Sequence, residues 1–251
     1  MSADAVQWGS FEISGPRHEY RESLLAGLVT RAVEPGATVL DAGCGGGSLA
    51  VALAVRGYRV VGVESSPECV ARARRRAAQS GVSGLVSINR GDVTALPVAD
   101  ASVDAVVSGE VLEHVTDDAA AAAEYRRVLR PGGACLVSVP AHPALWDVTD
   151  EWAGHVRRYR RGELIALFEG QGFAVDRVRA WGFPTVLFYH RLLFLPWARR
   201  SGGLGEASSK TPSTFRRAAT ALLGAAFRVD GLFSRLPVGW GWLLTARAPK
   251  P

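Results

Sequence analysis

A glycine-rich loop stands between two apolar stretches near the start of the chain. Residues 37–57 read ATVLDAGCGGGSLAVALAVRG. The short apolar run before the glycines predicts a buried strand, and the Ala, Leu and Val residues after them predict a helix that ends at Gly57. Glycines allow the backbone to turn sharply and to approach a ligand closely. The helix that follows offers unpaired N–H groups and a partial positive charge to an anion.

Strand and helix patterns alternate beyond this loop. The alternation predicts a parallel sheet with helices on both faces. A loop rich in Trp, Asp, His and Arg interrupts it over residues 141–160. The expected helices cover 17–31, 66–80, 117–130 and 161–171, and the expected strands after the first cover 58–64, 85–92, 103–109, 134–140, 173–180 and 239–249.

The composition agrees with a domain that builds a large core. The chain has 251 residues, of which 48% are hydrophobic and 21% charged, and this fits one α/β domain or one domain with a lid. Three scattered cysteines, Cys44, Cys69 and Cys135, suggest no disulfide framework, so we expect buried free thiols and a cytoplasmic protein. No signal-peptide pattern opens the sequence.

The longest apolar run is FPTVLFYHRLLFLPW, at 183–197, and His190 and Arg191 interrupt it. A membrane-spanning helix needs roughly 20 apolar residues, so the run predicts a lid or a peripheral membrane contact instead. The net charge of +5 comes almost entirely from arginine. No aromatic residues alternate with the basic ones in a stripe, which argues against a nucleic-acid partner.

The loop spacing separates this chain from other nucleotide folds. Counting from Gly43 gives Gly45 and then Ser48, where a dinucleotide fingerprint has its third glycine. The absence of Gly-Lys-Ser/Thr excludes a P-loop. Glu64 ends the second strand and could accept hydrogen bonds from a ribose diol, while Asp92 ends the third and could accept one from an exocyclic amine. Helix capping is the alternative role for such residues, but the ordered series favours ligand binding.

With these residues the sequence resembles the class I S-adenosylmethionine-dependent methyltransferases. The matching stretches are VLDAGCGGG, VVGVE, GDVTALPVADASVDAVVSGEVLEHV and YRRVLRPGG, and the resemblance covers about 37–182 and 239–249. It is greatest toward the small-molecule branch that includes the ubiquinone-pathway O-methyltransferases. The resemblance implies a Rossmann-like α/β fold with seven strands in the order 3-2-1-4-5-7-6, the last one antiparallel.

The resemblance also implies S-adenosylmethionine as the cofactor and a set of contacts to it. Gly43 and Gly45 would pass under the methionine part, Asp41 would lie near its amino group, and Glu64 would hold the ribose. Asp92 and the backbone of Val93 would contact adenine, and the backbone of Ser108 the methionine amine. The expected cofactor-binding residues are Asp41, Gly43, Cys44, Gly45, Glu64, Ser65, Asp92, Val93, Ser108 and Glu110.

The stretch GEVLEHV, at 109–115, places Glu110, Glu113 and His114 at i, i+3 and i+4, which share one face of a helical turn. In the ubiquinone O-methyltransferases and in a family of small-RNA methyltransferases, Glu-x-x-Glu-His and a later histidine bind a divalent metal. His155 could be that histidine, although the spacing around it departs from those families. The alternative, which we favour from the sequence, is a metal-free pocket wall.

The 141–160 loop follows the fifth strand, on the edge where an acceptor would bind. His155 is the best candidate for a catalytic base, because an imidazole titrates near neutral pH. Further catalytic candidates are His114 and Tyr159. The expected substrate contacts are Trp146, Asp147, Arg157 and Arg158 in the loop and Phe183 and Phe188 in the apolar segment.

These patterns divide the chain into an N-terminal helical cap (1–36), a cofactor-binding core (37–182), an apolar and basic lid insertion (183–236) and a final core strand (237–251). The expected activity is methyl transfer to oxygen, nitrogen or carbon of a small, partly apolar acceptor, in a monomer or homodimer. Alternatives are a metal-dependent O-methyltransferase, an enzyme acting on nucleic acid or peptide, and a non-catalytic cofactor-binding partner protein.

Overall fold

The computed structural model describes residues 15–200 and 222–250. The predictions for 1–14 and 201–221, which include part of the lid insertion, lie outside the described residues. Its strands are β1 (Thr38–Ala42), β2 (Arg59–Glu64), β3 (Val86–Arg90), β4 (Val103–Gly109), β5 (Leu129–Pro140), β6 (Ala174–Trp181) and β7 (Gly241–Arg247).

The strands form one sheet in the order β3-β2-β1-β4-β5-β7-β6. The pairs among β1 to β5 are parallel, and β7 runs antiparallel to both β5 and β6. The fold prediction is therefore confirmed, including the strand order and the reversed last strand. A doubly wound sheet of this kind binds ligands beyond the carboxyl ends of its strands, where the order reverses between β1 and β4.

Helices surround the sheet and alternate with its strands in the chain. They are α1 (Pro16–Ala32), α2 (Ser48–Ala54), α3 (Pro67–Gln79), α4 (Asp118–Val128), α5 (Val148–Trp152), α6 (Arg161–Gly170), α7 (Thr185–Phe188) and α8 (Leu195–Arg200). A π-helical turn, Tyr189–Phe194, joins the last two, and 3₁₀ turns cover Leu112–His114, Pro143–Leu145 and Arg228–Phe233.

Apolar side chains cover both faces of the sheet, as its parallel strands require. One cluster packs α4 and α6 against it and includes Tyr125 and Phe168, which are fully buried. A second cluster packs α1 and α2 on the opposite face, around Leu25 and Leu53. Together they hold the carboxyl ends of the central strands at fixed positions.

The largest difference from the predicted element boundaries is at the start of the fifth strand. The expected start of the fifth strand at 134 is wrong, because β5 begins at Leu129, which pairs with Val103 before the register shifts. The Pro131–Gly133 segment is thus an irregularity within the strand, with Gly132 at φ +78°, and not a turn before it. The ladder continues on both sides of this irregularity.

The cysteines and the lengths of the helices can also be compared with the sequence. Cys44, Cys69 and Cys135 are free and buried, as predicted. Within residues 15–200 and 222–250, the helices are too short or too polar to cross a bilayer.

Candidate cofactor and acceptor site

A cavity of about 820 Å³ opens at the carboxyl ends of β1, β2 and β4. The glycine loop, Glu64 and Asp92 line one end of it. His114, His155 and a group of aromatic side chains line the other. The cavity therefore joins the predicted cofactor residues to the predicted catalytic histidines in one continuous space.

The glycine loop is shaped for close approach. Gly43 has φ +74°, and a Cβ there would lie 2.4 Å from Val111 Cγ2. Gly45 has φ +51°, but a Cβ there would meet no atom within 4 Å, so it faces open space. The N–H groups of Gly43 and Cys44 donate to the Val63 carbonyl and tie the loop to β2. Only glycine therefore fits at position 43, while the open space at Gly45 leaves room for a ligand.

Glu64 lies at the end of β2, where a ribose diol would be recognised. Its carboxylate accepts hydrogen bonds from the N–H groups of Gly45 (3.0 Å) and Ser66 (2.9 Å). Ser65 Oγ lies 3.3 Å from the same carboxylate and also lines the cavity. The carboxylate thus has a fixed orientation, and its further lone pairs are available to a hydroxyl donor.

Asp92 follows β3 and lines the cavity together with Val93 and Thr94. Asp92 Oδ1 accepts from both the N–H and the hydroxyl of Thr94, at 2.8 Å each. This local turn holds the carboxylate at the cavity rim. Ser108 differs from the other predicted contacts, because it is fully buried, bonds to the Tyr125 hydroxyl (3.0 Å) and is absent from the cavity wall, where its neighbour Gly109 lies.

Asp41 is a buried carboxylate without a cationic partner among the described residues. It is 3% exposed and lines the cavity, and its Oδ2 has no hydrogen-bond partner. Burial, and then the charges of Glu22 and Glu64, raise its pKa to about 8. A cationic ligand bound nearby would stabilise the charged form, so this end of the cavity suits a molecule that carries an ammonium or sulfonium group.

The GEVLEHV stretch does not form the single helical turn that its spacing predicts. Glu110 has φ +58° and precedes the 3₁₀ turn that contains Glu113 and His114. The Glu110 carboxylate accepts from Ser138 Oγ at 2.8 Å and lies 3.8 Å from Arg21. The left-handed backbone turns this side chain toward β5, so the prediction that Glu110 joins a metal ligand set is wrong, and it lies on the cofactor side of the cavity.

Glu113, His114 and His155 come together instead. One ligand atom from each lies within 4.8 Å of the others. Glu113 is fully buried just behind the cavity wall, and in the described part of the chain neither carboxylate oxygen has a hydrogen-bond partner. Burial, and then the charge of Glu110, raise its pKa well above the usual range. Burial, and then His155, lower the pKa of His114 to about 4, so this imidazole is neutral at physiological pH.

His155 is oriented by a buried ion pair. Its Nδ1 lies 2.7 Å from Asp150 Oδ1, and Arg158 Nε donates to the same oxygen at 2.8 Å. Its Nε2 lies 3.9 Å from Glu113 Oε1. With Nδ1–H donating to Asp150, Nε2 presents its lone pair to the cluster, which is the tautomer that a metal ligand or a general base requires.

Several predicted acceptor contacts lie elsewhere among the described residues. Arg157 pairs with Asp118 at 2.6 Å, and the Tyr159 hydroxyl lies 2.7 Å from the same carboxylate, so both are structural. Asp147 caps α5, and the Trp146 and Phe188 side chains are exposed. Phe183 packs against Phe233. The residues that do not line the cavity, contrary to prediction, are Trp146, Asp147, Arg157, Tyr159, Phe183 and Phe188.

The far wall of the cavity includes arginine and tryptophan side chains that the sequence did not single out, beside Tyr189 and Phe194 of the apolar segment. Arg17 and Arg21 reach it from α1, and its aromatic part comes from four separate segments of the chain. Positions 17 and 21 are one turn apart on the polar face of α1, and that face was the available signal. The aromatic side chains that line the cavity are Trp152, Trp181, Tyr189, Phe194 and Trp240.

The strand order, together with a cavity beside the glycine loop, defines a Rossmann-like methyltransferase fold. Comparisons with known proteins agree. Residues 40–137 match the family model described as a methyltransferase domain. A ubiquinone biosynthesis O-methyltransferase of Xanthomonas axonopodis pv. citri is 30% identical over 207 residues, which cover 77% of this chain and 82% of that one. The chain belongs to the class I S-adenosylmethionine-dependent methyltransferase family.

Other similar proteins differ in length and in reported activity. A probable S-adenosylmethionine-dependent methyltransferase of Mycolicibacterium smegmatis is 39% identical over 143 residues, which cover 56% of this chain and 53% of that one. The chain thus spans about half the length of some curated relatives that it matches. The solved structure of the [4+2]-cyclase SpnF aligns with a TM-score of 0.66 and 25% identity, over 98% of this chain and 88% of that one.

Proposed function

We propose that this protein transfers a methyl group from S-adenosylmethionine to a small, partly apolar acceptor. The observation that carries the proposal is the single cavity that joins the Asp41–Gly45 loop, Glu64 and Asp92 to the His114 and His155 imidazoles. One end supplies carboxylates for a cationic, ribose-bearing cofactor. The other supplies aromatic faces and imidazoles for an acceptor.

Methyl transfer from a sulfonium is a displacement in which the cofactor brings its own leaving group. The protein must align the acceptor atom with the methyl carbon and sulfur, and it must assist loss of a proton if the acceptor is a hydroxyl. His155 is suited to the second task, since Asp150 fixes its tautomer and stabilises the imidazolium that would form.

The assay follows transfer of labelled methyl from S-adenosylmethionine to a panel of phenols, amines and apolar carboxylates. The proposal expects turnover of at least one class, and His155→Gln should lower kcat by about 10²-fold or more, as expected when a general base is lost. His142→Gln is the matched control, because His142 lies in the same segment but outside the cavity wall. Cofactor binding without turnover of any class would favour a cyclase-like or non-catalytic role.

A second candidate is a metal-dependent form of the same reaction. Glu113, His114 and His155 fit a divalent ion, because they offer one carboxylate and two imidazoles. Both Glu113 oxygens are also buried without a hydrogen-bond partner in the part of the chain that the structure describes. Asp150 is the outer carboxylate that commonly supports a ligating histidine. A bound ion would act as a Lewis acid that lowers the pKa of an acceptor hydroxyl.

Metal analysis of the purified protein, before and after chelation, tests this candidate. Glu113→Gln should lose the ion, whereas Glu110→Gln should keep it, because Glu110 lies outside the cluster. Equal metal content in both variants, or none in the wild type after incubation with Zn²⁺, Mn²⁺ and Co²⁺, would refute the metal-dependent candidate. Methyl transfer without a metal would then be the remaining proposal.

The α7–α8 segment offers a route for an apolar acceptor. Leu192 and Leu193 are 68% and 59% exposed, while Tyr189 and Phe194 of the same π-helical turn line the cavity. We therefore include a peripheral membrane contact in the proposal, in which this segment rests on a bilayer and admits acceptors from it. Sedimentation with anionic vesicles tests it, and Leu192→Ser should weaken the binding.

A further inference from the structure

The cavity holds a guanidinium that forms no ion pair with a carboxylate among the described residues. Arg17, near the start of α1, is only partly exposed and lines the cavity. Its NH1 lies 2.8 Å from His190 Nδ1, and its guanidinium carbon lies 4.7 Å from the Trp240 ring centre and 5.1 Å from that of Phe194. Burial lowers the pKa of Arg17, and the nearby charge of Glu110 opposes this only in part. A cation kept in such surroundings without a directly paired counter-ion is costly.

The neighbouring arginines differ in this respect. Arg21 lies 3.8 Å from Glu110, and Arg158 lies 2.8 Å from Asp150. Each therefore has a carboxylate within ion-pair distance. Among residues 15–200 and 222–250, Arg17 makes its hydrogen bond with a histidine ring instead, which uses one of its five N–H groups.

His190 holds Arg17 in place. Its Nε2 lies 2.8 Å from Asp147 Oδ2, and it is fully buried against Trp240, with ring centres 4.0 Å apart. Burial lowers the pKa of His190, so the ring is neutral. A neutral ring that donates Nε2–H to Asp147 presents the Nδ1 lone pair to Arg17. The chain Asp147–His190–Arg17 therefore orients the guanidinium without neutralising it.

The position of Arg17 indicates that it contacts the methyl acceptor and not the cofactor. Arg21 follows it by one turn of α1 and lies beside Glu110, next to the glycine loop. Arg17 lies among the aromatic residues of the opposite end. A carboxylate belonging to the methionine part of the cofactor would therefore meet Arg21 first, and Arg17 would face the molecule that accepts the methyl group.

We propose that the acceptor carries an anionic group, a carboxylate or a phosphate, that pairs with Arg17 while its apolar part lies against Trp240 and Phe194. This inference rests on the proposed function, which it narrows to anionic amphipathic acceptors. A guanidinium binds both anions through parallel N–H···O bonds. Asp147 and His190 act as positioning residues for that contact.

The test compares three probes that share one ring system and differ in charge: 2-naphthoate, 2-naphthyl phosphate and neutral 2-naphthylmethanol. Calorimetry with saturating S-adenosylhomocysteine should show at least one anion binding about tenfold or more tighter than the neutral probe, as expected for a charge-assisted pair. The ratio of the two anion affinities distinguishes carboxylate from phosphate recognition.

The variants separate the role of Arg17 from general effects. Arg17→Gln should remove most of the anion preference and leave the affinity for S-adenosylhomocysteine unchanged. Arg17→Lys should keep part of the preference. Arg31→Gln, which changes an exposed arginine on the same helix outside this cavity, should behave as wild type. His190→Phe should weaken binding of the anionic probes. With an anionic acceptor, the same variant should raise KM more than it lowers kcat.

Three results would overturn the proposal: equal affinity of wild type for all three probes, an anion preference that survives Arg17→Gln, or an equal loss of cofactor affinity in that variant, which would place Arg17 on the cofactor. Failure of wild type to bind S-adenosylhomocysteine would refute the proposed function instead. The naphthyl titrations without cofactor would then still decide the role of Arg17.

Discussion

Replacing Asp41 with asparagine should stabilise the ligand-free protein and weaken binding of a cationic ligand. Asp41 is buried, and its Oδ2 has no hydrogen-bond partner among the described residues. Its pKa rises from 3.8 to about 8 in the fold, chiefly through burial. The folded protein therefore holds this proton more tightly than the unfolded chain does. Below pH 4 the Asp41 carboxyl is protonated in both the folded and the unfolded state, so it does not lower the free energy of unfolding. As the pH rises toward 8, the unfolded chain loses this proton first and the free energy of unfolding falls.

The size of the effect follows from that difference. Each tenfold change in proton affinity corresponds to about 1.4 kcal/mol, so the carboxyl lowers the free energy of unfolding by at most about 6 kcal/mol at pH 8. Relaxation of the cavity and entry of water reduce this figure. A gain of about 1 to 3 kcal/mol for Asp41→Asn at pH 8 is the expected result, with little or no gain at pH 4.

Urea unfolding of both proteins without cofactor, at intervals between pH 4 and pH 9, measures the effect. Asp104→Asn is the control with the opposite sign, because hydrogen bonds from Thr38 N–H and Arg130 outweigh burial and hold the pKa of Asp104 below its usual value. That variant should lose stability at neutral pH and approach wild type in acid. If Asp41→Asn is less stable than wild type at pH 8, the reasoning about this carboxylate is refuted.

Three further predictions concern the loop, the cofactor and the core. Gly43→Ala should lower the free energy of unfolding by about 2 to 4 kcal/mol and remove cofactor binding, because its Cβ would lie 2.4 Å from Val111 Cγ2 at φ +74°. Urea unfolding measures this loss, and Gly84→Ala is the neutral control because a Cβ at position 84 would meet open space. The affinity for S-adenosylmethionine should rise from pH 6 to pH 8 as Asp41 loses its proton, and calorimetry should find a weaker pH dependence in Asp41→Asn. Phe168→Ala should cost about 3 to 5 kcal/mol in thermal or urea unfolding, because the ring is fully buried between α6 and the sheet; a loss under 1 kcal/mol would contradict the assigned core.

Much of the fold could be predicted from the sequence, because its signals are local. Apolar runs, Pro67 at the start of α3 and the glycine loop each specify an element within a few residues. The start of β5 was missed because residues 129 and 130 continue the helical pattern of α4, and their pairing with β4 is a long-range contact. The sheet order came with the family resemblance and not from the spacing of the strands.

The site residues at the ends of strands could be predicted from the sequence. The contacts between residues far apart in the sequence could not. Asp41, Glu64 and Asp92 each come directly after or within a strand, so the topology brings them to one edge. Arg17 and His190 are 173 positions apart, and no local pattern indicates their contact. Glu110 was counted among the possible metal ligands as well as the cofactor contacts, because the helical spacing gave no sign of its left-handed backbone.

The division of the chain into cap, core, lid and final strand stays a prediction, as do the oligomeric state and the identity of the acceptor. The central claim does not depend on them. We propose that Glu64, at the end of β2, holds the ribose of an S-adenosylmethionine-type cofactor in the cavity.

Calorimetric titration with S-adenosylhomocysteine tests that claim most directly. Wild type should bind one molecule per chain, and Glu64→Ala should bind it at least about tenfold more weakly, since the carboxylate would lose its hydrogen bonds to the two ribose hydroxyls. Glu68→Ala, which removes an exposed carboxylate four residues away, should match wild type. Undiminished affinity in a folded Glu64→Ala protein would contradict the cofactor assignment.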